Sequence, residues 1–501
     1  KYGNFLAKDD ENLSLYIAQS FSFFDFDESK ARLEFSALKK EYESIFNLES
    51  KKPFEWRFEF PEVLNENGEF MGFDLVVGNP PYIRQEEIKE LKPSLAKAYE
   101  IYSGTSDIYT YFFELGFKVL EKGGILSFIT SNKFARAGYG ANLREFLLNK
   151  TTLLEFVDLN GLKVFENATV DTSTVSFIKN KASKTHKLNY ASPSEKDLST
   201  LTYTQIPQSK LSKEAFIFGD DALFELKSKI ESVGTPLKEW DIAIYRGVLT
   251  GYNEAFIIDT ATKEAVLNSC WDESERERTA KLIKPILRGR DIKRYSYEWA
   301  GLWLISTFPA LKLNIDDYPA LKKYLENFMP RIAQSGEKGC RKKTSNKWFE
   351  TQDNIAYYED FEKEKIVYPN MNKEFIASYD TQRFYTNQKC FIITSKNENL
   401  TYLTALLNSK LNFWYFKQIG ATLGANGYEM SKIFVEKLPI PKITKENQNL
   451  VDELVKLVNQ ILALKAQISS ADTSQLEFDI DNLIYKLYNL SPNDIKIIER
   501  V

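Results

Sequence analysis

A short apolar strand that runs straight into a proline-stiffened turn is the feature that most limits how this chain folds. Residues 73–77 are mainly apolar and Gly78 ends them, which predicts a buried strand of an α/β sheet. The turn that follows is Asn79, Pro80, Pro81 and Tyr82. Two prolines hold φ near about −65° and remove two backbone donors, so this turn is rigid. Ligands of open α/β sheets bind outside the carboxyl ends of the strands, and we expect a binding site here.

The groups in this turn suit a planar amino group on an aromatic ring. The Asn79 side-chain oxygen and the Pro80 carbonyl can each accept one hydrogen bond from such an amine. The amine of a purine is a weak nucleophile because its lone pair is delocalised, and two acceptors would hold the nitrogen toward tetrahedral geometry. Tyr82 would stack on the base, a contact worth about 1–3 kcal/mol. A rigid turn without a site is the alternative interpretation of such a tetrad.

Further stretches of the chain accompany the tetrad in a characteristic order. Together with it, they resemble the gamma-class N6-adenine DNA methyltransferases of type IIG restriction-modification enzymes, over roughly residues 50–180, with a TaqI-like target-recognition domain after that. The matching stretches are residues 53–63, 106–113, 123–134 and 164–172.

The resemblance implies roles for individual residues. Asn79, Pro80, Pro81 and Tyr82 would form the catalytic motif that holds the target adenine. Phe177 would be the second aromatic ring around the flipped base, with Phe165 as its competitor. Asp107 and Lys133 would support the pocket. The implied cofactor is S-adenosylmethionine, and the implied partner is double-stranded DNA.

The predicted fold class is α/β: part of a Rossmann-like methyltransferase sheet, then a mixed α+β target-recognition domain and C-terminal helices. Strands are expected at residues 73–77, 125–130, 153–159 and 172–178, and amphipathic helices at 450–464 and 477–488. The predicted segments are a helical amino-terminal segment (1–52), the catalytic half of the methyltransferase domain (53–180), a linker (181–218), the target-recognition domain (219–441) and a C-terminal helical region (442–501).

The amino-terminal segment departs from the family pattern. Family members carry a glycine-rich S-adenosylmethionine loop upstream of the catalytic motif, whereas residues 1–52 contain a single glycine, Gly3. We therefore expect the main cofactor loop and its strands to lie outside this chain. One sheet edge would then be unpaired, the amino-terminal part of the same enzyme would be a partner, and the isolated chain would bind the methyl donor weakly.

Charge distribution, rather than net charge, favours DNA binding. The formal net charge of −4 is not the basic balance of a nucleic-acid binder. Basic residues nevertheless concentrate within residues 281–294 and 331–347, the second group being interleaved with glycine as in a mobile loop. Solvated surface charge is the alternative for either group. The candidate DNA contacts are Arg246, Arg288, Arg290, Lys293, Arg294, Lys338, Arg341, Lys342, Lys343 and Lys347.

The rarer residues exclude several classes of protein. Cys270, Cys340 and Cys390 are far apart in the sequence, so neither a disulfide framework nor a metal site is expected. The single histidine, His186, lies in a polar stretch and is expected to be a solvated loop residue. No run of eighteen apolar residues predicts a membrane span. A reducing cytoplasm fits this composition.

Three functions remain open at this point. The first is site-specific transfer of a methyl group to the N6 nitrogen of a flipped adenine within a restriction-modification system. The second is a catalytically silent DNA-binding specificity fragment. The third is methylation of a protein glutamine or an RNA guanine, which the long region after the motif argues against.

Overall fold

The computed structural model describes residues 27, 29–30, 32–34, 36–37, 39–40, 54, 56–162, 164–165, 171–195, 198, 200–422 and 427–500. The helix predicted in the amino-terminal segment lies largely outside these residues. The chain divides into two compact units: Lys1–Thr130, Phe146–Phe156 and Thr174–His186 form the first, and Ser131–Glu145, Val157–Ser173 and Lys187–Val501 form the second. This division differs from the predicted segments because the chain returns to the first unit twice.

Four strands of the first unit confirm the strands predicted from the sequence. They are adjacent in the order β1-β2-β4-β3. β1 pairs in parallel with β2, with Val76 opposite Leu126. The Ser127 and Ser176 hydroxyls lie 2.8 Å apart across β2 and β4. The strands are β1 (Phe73–Gly78), β2 (Leu120–Ser131), β3 (Thr152–Asp158) and β4 (Thr172–Ile178).

Between residues 56 and 119, three helices precede β2, namely α1 (Trp56–Glu59), α2 (Lys92–Ala98) and α3 (Tyr109–Val119). α3 packs on β2 through a ring contact between Phe113 and Phe128, whose centroids are 5.6 Å apart. Gly116 permits this close approach, since a Cβ there would lie 2.3 Å from a Leu126 methyl carbon. α3 thereby covers the sheet beside the predicted site.

β1 lies at the edge of its sheet. Within the described part of the chain, no strand pairs with the side of β1 opposite β2. The side chains of Leu75 and Val77 are 57% and 69% exposed, which is unusual for apolar residues of a strand. An open edge presents unpaired N–H and C=O groups to another strand. That strands from outside this chain complete the sheet stays a prediction.

The second unit contains most of the regular structure. α4 (Ala141–Lys150) has residues in both units. The strands are β5 (Lys187–Ala191), β6 (Thr204–Pro207), β7 (Thr235–Pro236), β8 (Ile242–Arg246), β9 (Ile257–Asp259), β10 (Ile283–Leu287), β11 (Ile292–Lys293), β12 (Ser296–Tyr297), β13 (Leu302–Ile305), β14 (Lys365–Pro369), β15 (Met371–Asn372), β16 (Ser378–Asp380), β17 (Tyr385–Thr386), β18 (Cys390–Ser395), β19 (Ala421–Thr422), β20 (Tyr428–Glu429) and β21 (Pro439–Ile440). The helices are α5 (Asp221–Val233), α6 (Asn253–Phe256), α7 (Thr260–Asn268), α8 (Glu273–Leu282), α9 (Pro319–Glu326), α10 (Leu400–Asn408), α11 (Lys410–Ile419), α12 (Lys432–Val435), α13 (Gln448–Gln467), α14 (Ser474–Leu487) and α15 (Pro492–Glu499).

One sheet of the second unit separates two hydrophobic cores. Its strands have the order β16-β14-β18-β8, and another four-stranded sheet has the order β17-β10-β13-β9. Alternate residues of a strand point to opposite faces. Ile366 and Ile393 accordingly join one core, whereas Val367 and Ile392 join the other.

The structure corrects two expectations around residues 181–218. This stretch is not an extended linker, because β5 and β6 form an antiparallel hairpin with Leu188 opposite Ile206. Both side chains are fully buried. His186 is not simply solvated, since its Nε2 atom lies 2.6 Å from the Leu153 carbonyl oxygen. Residues 181–218 are polar overall, so the sequence did not indicate these few buried positions.

The C-terminal region confirms the two predicted helices, α13 and α14. Leu454, Val458 and Ile461 of α13 belong to the same core as α10, so packing on the preceding domain explains their spacing. A further helix, α15, follows, and the Ser491 side chain caps its start by accepting a hydrogen bond from the Asp494 N–H.

The described residues lack two features that define other classes of protein. No helix there has the length and hydropathy to cross a membrane. No group of histidine, cysteine, aspartate and glutamate side chains there is arranged to hold a metal ion. The three cysteines form no disulfide.

A fully buried ion pair in the second unit provides a test of this fold. The Lys365 ammonium lies 2.6 Å from the Asp380 carboxylate, and both side chains are inaccessible to solvent. Lys365→Met should lower the free energy of unfolding by about 3–5 kcal/mol, because it leaves a buried carboxylate without its cation. Urea denaturation followed by tryptophan fluorescence measures this change.

The matched control is Lys363→Met, which removes an exposed ion pair and should cost about 0–1 kcal/mol. Adding Asp380→Asn to Lys365→Met should restore part of the lost stability, since it removes the unpaired charge. Equal destabilisation by Lys365→Met and Lys363→Met would show that the buried ion pair matters no more to stability than the exposed one.

Candidate functional site

The tetrad of residues 79–82 lies directly after β1, at its carboxyl end. Asn79 and Pro81 are exposed, Pro80 is buried and Tyr82 is half-buried. Within the described part of the chain, neither the Asn79 side-chain amide nor the Pro80 carbonyl oxygen has a hydrogen-bond partner. Two acceptors therefore remain available beside an aromatic ring.

The Tyr82 ring is held by contacts within the first unit. Its hydroxyl donates a hydrogen bond to the Ile129 carbonyl oxygen, at 3.3 Å. Its ring centroid lies 6.3 Å from that of the buried Tyr109. Burial raises the pKa of Tyr82 to about 12, so the hydroxyl stays protonated and keeps this bond near neutral pH. The orientation of the ring is thereby tied to the end of β2.

The backbone after the tetrad is anchored to the start of α3. The Asp107 carboxylate accepts a hydrogen bond from the Gln85 N–H at 3.0 Å. The Ile108 N–H donates to the Ile83 carbonyl oxygen, also at 3.0 Å. Asp107 thus lies near the tetrad, as predicted, and contacts the loop that follows it. Its support of a substrate pocket stays a prediction.

Of the other predicted pocket residues, Phe177 lies in the first unit, and Lys133 and Phe165 lie in the second. Phe177 is fully buried and its ring lies 6.4 Å from that of Phe117. This is a correction, because a ring enclosed in a core offers no face to a base. Lys133 is exposed in the second unit. Phe165, the competitor for stacking, is half-buried in that same unit.

Asn132 is a residue whose importance the sequence did not reveal. It is buried, and its side-chain nitrogen donates to the Asp158 carboxylate at 3.0 Å. Its side-chain oxygen is buried and has no hydrogen-bond partner. A small cavity beside it is also lined by Lys133, Arg136 and Asn160. The end of β2 therefore carries a buried hydrogen-bond acceptor that no donor among the described residues satisfies.

Three of the predicted DNA contacts have structural partners instead. Arg341 is only 3% exposed, and burial lowers its pKa to about 10. Its guanidinium donates hydrogen bonds to carbonyl oxygens of Ile332, Thr250, Glu350 and Trp348. This corrects its assignment as a DNA contact, because its donors are directed inward.

Two more predicted contacts are engaged by carboxylates. Arg288 makes two hydrogen bonds to Asp291, at 3.0 and 2.8 Å. Arg294 bonds to Glu374 at 2.6 Å and lies 3.7 Å from Glu477. Internal pairing leaves both guanidinium groups less available to phosphate than the sequence suggested.

The other predicted DNA contacts are exposed on the second unit. Arg246 donates to the Gln388 carbonyl oxygen and Lys347 to the Leu313 carbonyl oxygen, each at 3.0 Å. No partner among the described residues engages the remaining side chains. Those free side chains are Arg290, Lys293, Lys338, Lys342 and Lys343.

The second basic segment is an anchored hairpin rather than a mobile loop. The Gly336 N–H donates to the Arg341 carbonyl oxygen at 3.0 Å, and the Arg341 N–H donates to the Ala333 carbonyl oxygen at 2.9 Å. The buried Arg341 side chain fixes the base of this hairpin. Lys338, Lys342 and Lys343 are therefore presented on a defined backbone.

Several polar residues of the second unit line a cleft but are not among the site residues predicted from the sequence. Lys389 lines the same cleft as Arg290 and Lys293, together with Asn253, Asn372 and Asn387. The only local signal was the polar run at residues 386–389, just before β18. These residues come from four separate parts of the chain, so no spacing rule connects them.

Comparisons with known proteins match both parts of the chain. Residues 6–165 match the family model of the Eco57I restriction-modification methylase, and residues 284–440 match that of the TaqI-like C-terminal specificity domain.

Two similar curated proteins extend over most of the chain. The type II methyltransferase M.BstVI of Geobacillus stearothermophilus is 27% identical over 474 residues, which cover 86% of this chain and 76% of that protein. The type II methyltransferase M.PaeR7I of Pseudomonas aeruginosa is 23% identical, covering 84% of this chain and 71% of that protein.

A solved structure supports the fold. The type IIL restriction-modification enzyme MmeI, in complex with DNA, superposes with a TM-score of 0.58 at 12% identity. The match covers 87% of this chain and 57% of the MmeI chain. The mixed α/β architecture followed by a strand-rich region is thus a known arrangement. Residues 6–165 are thus similar to the Eco57I restriction-modification methylase family, and residues 284–440 are similar to the TaqI-like C-terminal specificity domain family.

Proposed function

We propose that this protein is a site-specific DNA methyltransferase that modifies the N6 nitrogen of adenine in a restriction-modification system. The observation that carries the proposal is the pair of unengaged acceptors, the Asn79 amide oxygen and the Pro80 carbonyl, beside the anchored Tyr82 ring. The similarity to type II methyltransferases supports the reaction class.

The tetrad would act on a base that has left the duplex, because the target nitrogen is inaccessible inside stacked DNA. The N6 amino group would donate one hydrogen bond to the Asn79 oxygen and the other to the Pro80 carbonyl. This pairing directs the nitrogen lone pair away from the ring. Tyr82 would stack on the base. No general base is needed before transfer, since the amine proton leaves after the new bond to nitrogen has formed.

The methyl donor that the resemblance implies is S-adenosylmethionine, which supplies an electrophilic methyl group when bound. The residues of the first unit fit it incompletely. Its glycines with positive φ near β1 and β2, Gly72 and Gly123, lie away from the carboxyl end of β1, where the tetrad is. The described residues therefore provide acceptors for the base but no glycine-rich cradle for the cofactor.

The open edge of β1 is where we propose that further cofactor-binding strands pair. Its exposed apolar side chains, Leu75 and Val77, and its unpaired backbone suit the addition of a strand. The amino-terminal part of the same enzyme is the proposed source of that strand. Titration calorimetry with S-adenosylmethionine should accordingly show weak binding to the chain alone and tighter binding to the longer enzyme.

Asn79→Ala should lower the rate of methyl transfer by about 100- to 1,000-fold, the usual effect of removing one preorganised hydrogen-bond partner from a reacting group. The assay is transfer of a labelled methyl group to duplex DNA by the full-length enzyme. Asn67→Ala is the matched control, because Asn67 is an exposed asparagine of the same unit, in a turn before β1. Equal rates for the two variants would refute the role of Asn79.

The modified nucleoside identifies the reaction. Mass spectrometry of digested DNA should show N6-methyladenine, because both acceptors of the tetrad match an exocyclic amine. A methylated cytosine would overturn the adenine proposal. Methylation of a Gly-Gly-Gln peptide or of ribosomal RNA, without any effect of DNA, would replace it with the third function. DNA binding without any transfer by the full-length enzyme would establish the silent specificity module.

Tyr82 should contribute through its ring more than through its hydroxyl. Tyr82→Ala should weaken binding of the extrahelical base by about 1–3 kcal/mol, the value of one stacking contact. Tyr82→Phe keeps the ring and removes the hydroxyl that bonds to Ile129, so its effect should be smaller. Fluorescence of 2-aminopurine at the target position measures base flipping, and identical signals for both variants would contradict stacking.

A further inference from the structure

A cleft of about 670 Å³ in the second unit has a side-chain lining of unusual chemistry. Its polar lining consists of four cations, Arg288, Arg290, Lys293 and Lys389, and three asparagines. No carboxylate is part of this lining. Arg288 is neutralised by Asp291, but the other three cations have no ion-pair partner in the described part of the chain.

The three asparagines all have their side-chain oxygens occupied. The Asn372 oxygen accepts the Lys373 N–H at 2.9 Å, and the Asn387 oxygen accepts the Lys389 N–H at 3.2 Å. The Asn253 oxygen accepts the Thr250 hydroxyl at 2.7 Å. For the first two, the backbone donor decides which end of the amide is oxygen, because an N–H cannot donate to an NH₂ group.

The NH₂ group of each of these asparagine amides is therefore available to donate hydrogen bonds. None of these three nitrogens has an acceptor among the described residues. Asn387 is 8% exposed, and its N–H donates to the Leu287 carbonyl oxygen at 3.1 Å, so its backbone is held in place. The cleft therefore presents hydrogen-bond donors, both charged and neutral, and its side chains offer almost no acceptors.

A surface of donors is complementary to a ligand of acceptors. DNA presents acceptors on its phosphate oxygens and on its base edges, and the major-groove edge of guanine carries two of them, O6 and N7. On the same edge adenine has one acceptor beside an amino donor, thymine has one acceptor beside a methyl group, and cytosine has an amino donor. The donor set thus discriminates among bases as well as attracting the backbone.

We infer that this cleft reads a guanine in the major groove of the DNA target through its asparagine amides, while Arg290, Lys293 and Lys389 bind the flanking phosphates. This inference rests on the proposed function, because it supposes that duplex DNA is the substrate. It adds specific residues and a base preference to that function. The cations position the duplex and the neutral amides select the base.

Selection from a pool of random duplexes tests the base preference with the full chain and its variants. The wild-type protein should enrich sequences with guanine at one position. Asn372→Ala should reduce that preference by about tenfold and leave the preferences at other positions unchanged. Asn372→Asp keeps the acceptor for the Lys373 N–H but replaces the free donor with an acceptor. It should shift the preference toward cytosine, whose amino group donates.

Salt dependence tests the phosphate contacts. Lys389→Ala and Lys293→Ala should each weaken binding to all sequences and reduce the salt slope by about 0.9 per contact. Lys456→Ala is the matched control, since Lys456 is an exposed lysine of α13 outside the cleft. Melting temperatures equal to that of the wild type establish that the variants fold.

The two proposals fail in different ways. If duplex DNA binds but the cleft variants behave like Lys456→Ala, and the guanine preference survives Asn372→Ala and Asn372→Asp, the cleft inference is overturned and the proposed function stands. If Asn79→Ala transfers methyl groups normally while the cleft variants behave as expected, the proposed catalytic site is overturned instead. A wild-type protein that binds no duplex overturns both.

Discussion

The parallel pairing of β1 with β2 is the interaction on which the candidate catalytic site depends. It aligns Val77 with Ser127 and Gly78 with Phe128, so the turn after β1 begins beside the final residues of β2. Gly78 allows this approach, since a Cβ there would lie 3.1 Å from the Phe128 ring. Tyr82 then reaches the Ile129 carbonyl. The two prolines make the turn rigid, and the pairing of β1 with β2 fixes how this rigid turn is oriented.

Cations in this chain serve two purposes, which composition alone cannot separate. Arg144 and Arg341 are buried and donate several hydrogen bonds to backbone carbonyl oxygens. For Arg144 these include Lys213 at 2.7 Å and Glu214 at 2.9 Å. A guanidinium has five donors in a fixed plane and can tie several loop carbonyls together. Such arginines hold irregular loops, where buried carbonyls would otherwise lack partners.

Whether each of the remaining cations is available to a ligand depends on the groups that surround it. Arg288 lines the same cleft as Arg290 and Lys389, yet its charge is used by Asp291. The three asparagines of that cleft contribute donors because two backbone N–H groups and the Thr250 hydroxyl occupy their oxygens. A modest negative net charge is compatible with a locally positive surface, because no carboxylate is among the residues that line the cleft. The hydrogen-bond donor character of the cleft therefore depends on all of its polar lining residues together.

The sequence by itself determined the features that depend on neighbouring residues: the four strands of the first unit, the stiff turn after β1, the two long C-terminal helices and the similarity of two segments to known families. Apolar periodicity and proline geometry act over a few residues, so they can be read locally. Tertiary structure alone decided that Phe177 is a core residue, that Arg341 points inward, that residues 187–207 contain a hairpin, and that Lys389 joins Arg290 in one cleft. Burial and hydrogen-bond partnership arise between residues distant in the chain, and no local pattern encodes which partner each side chain will find.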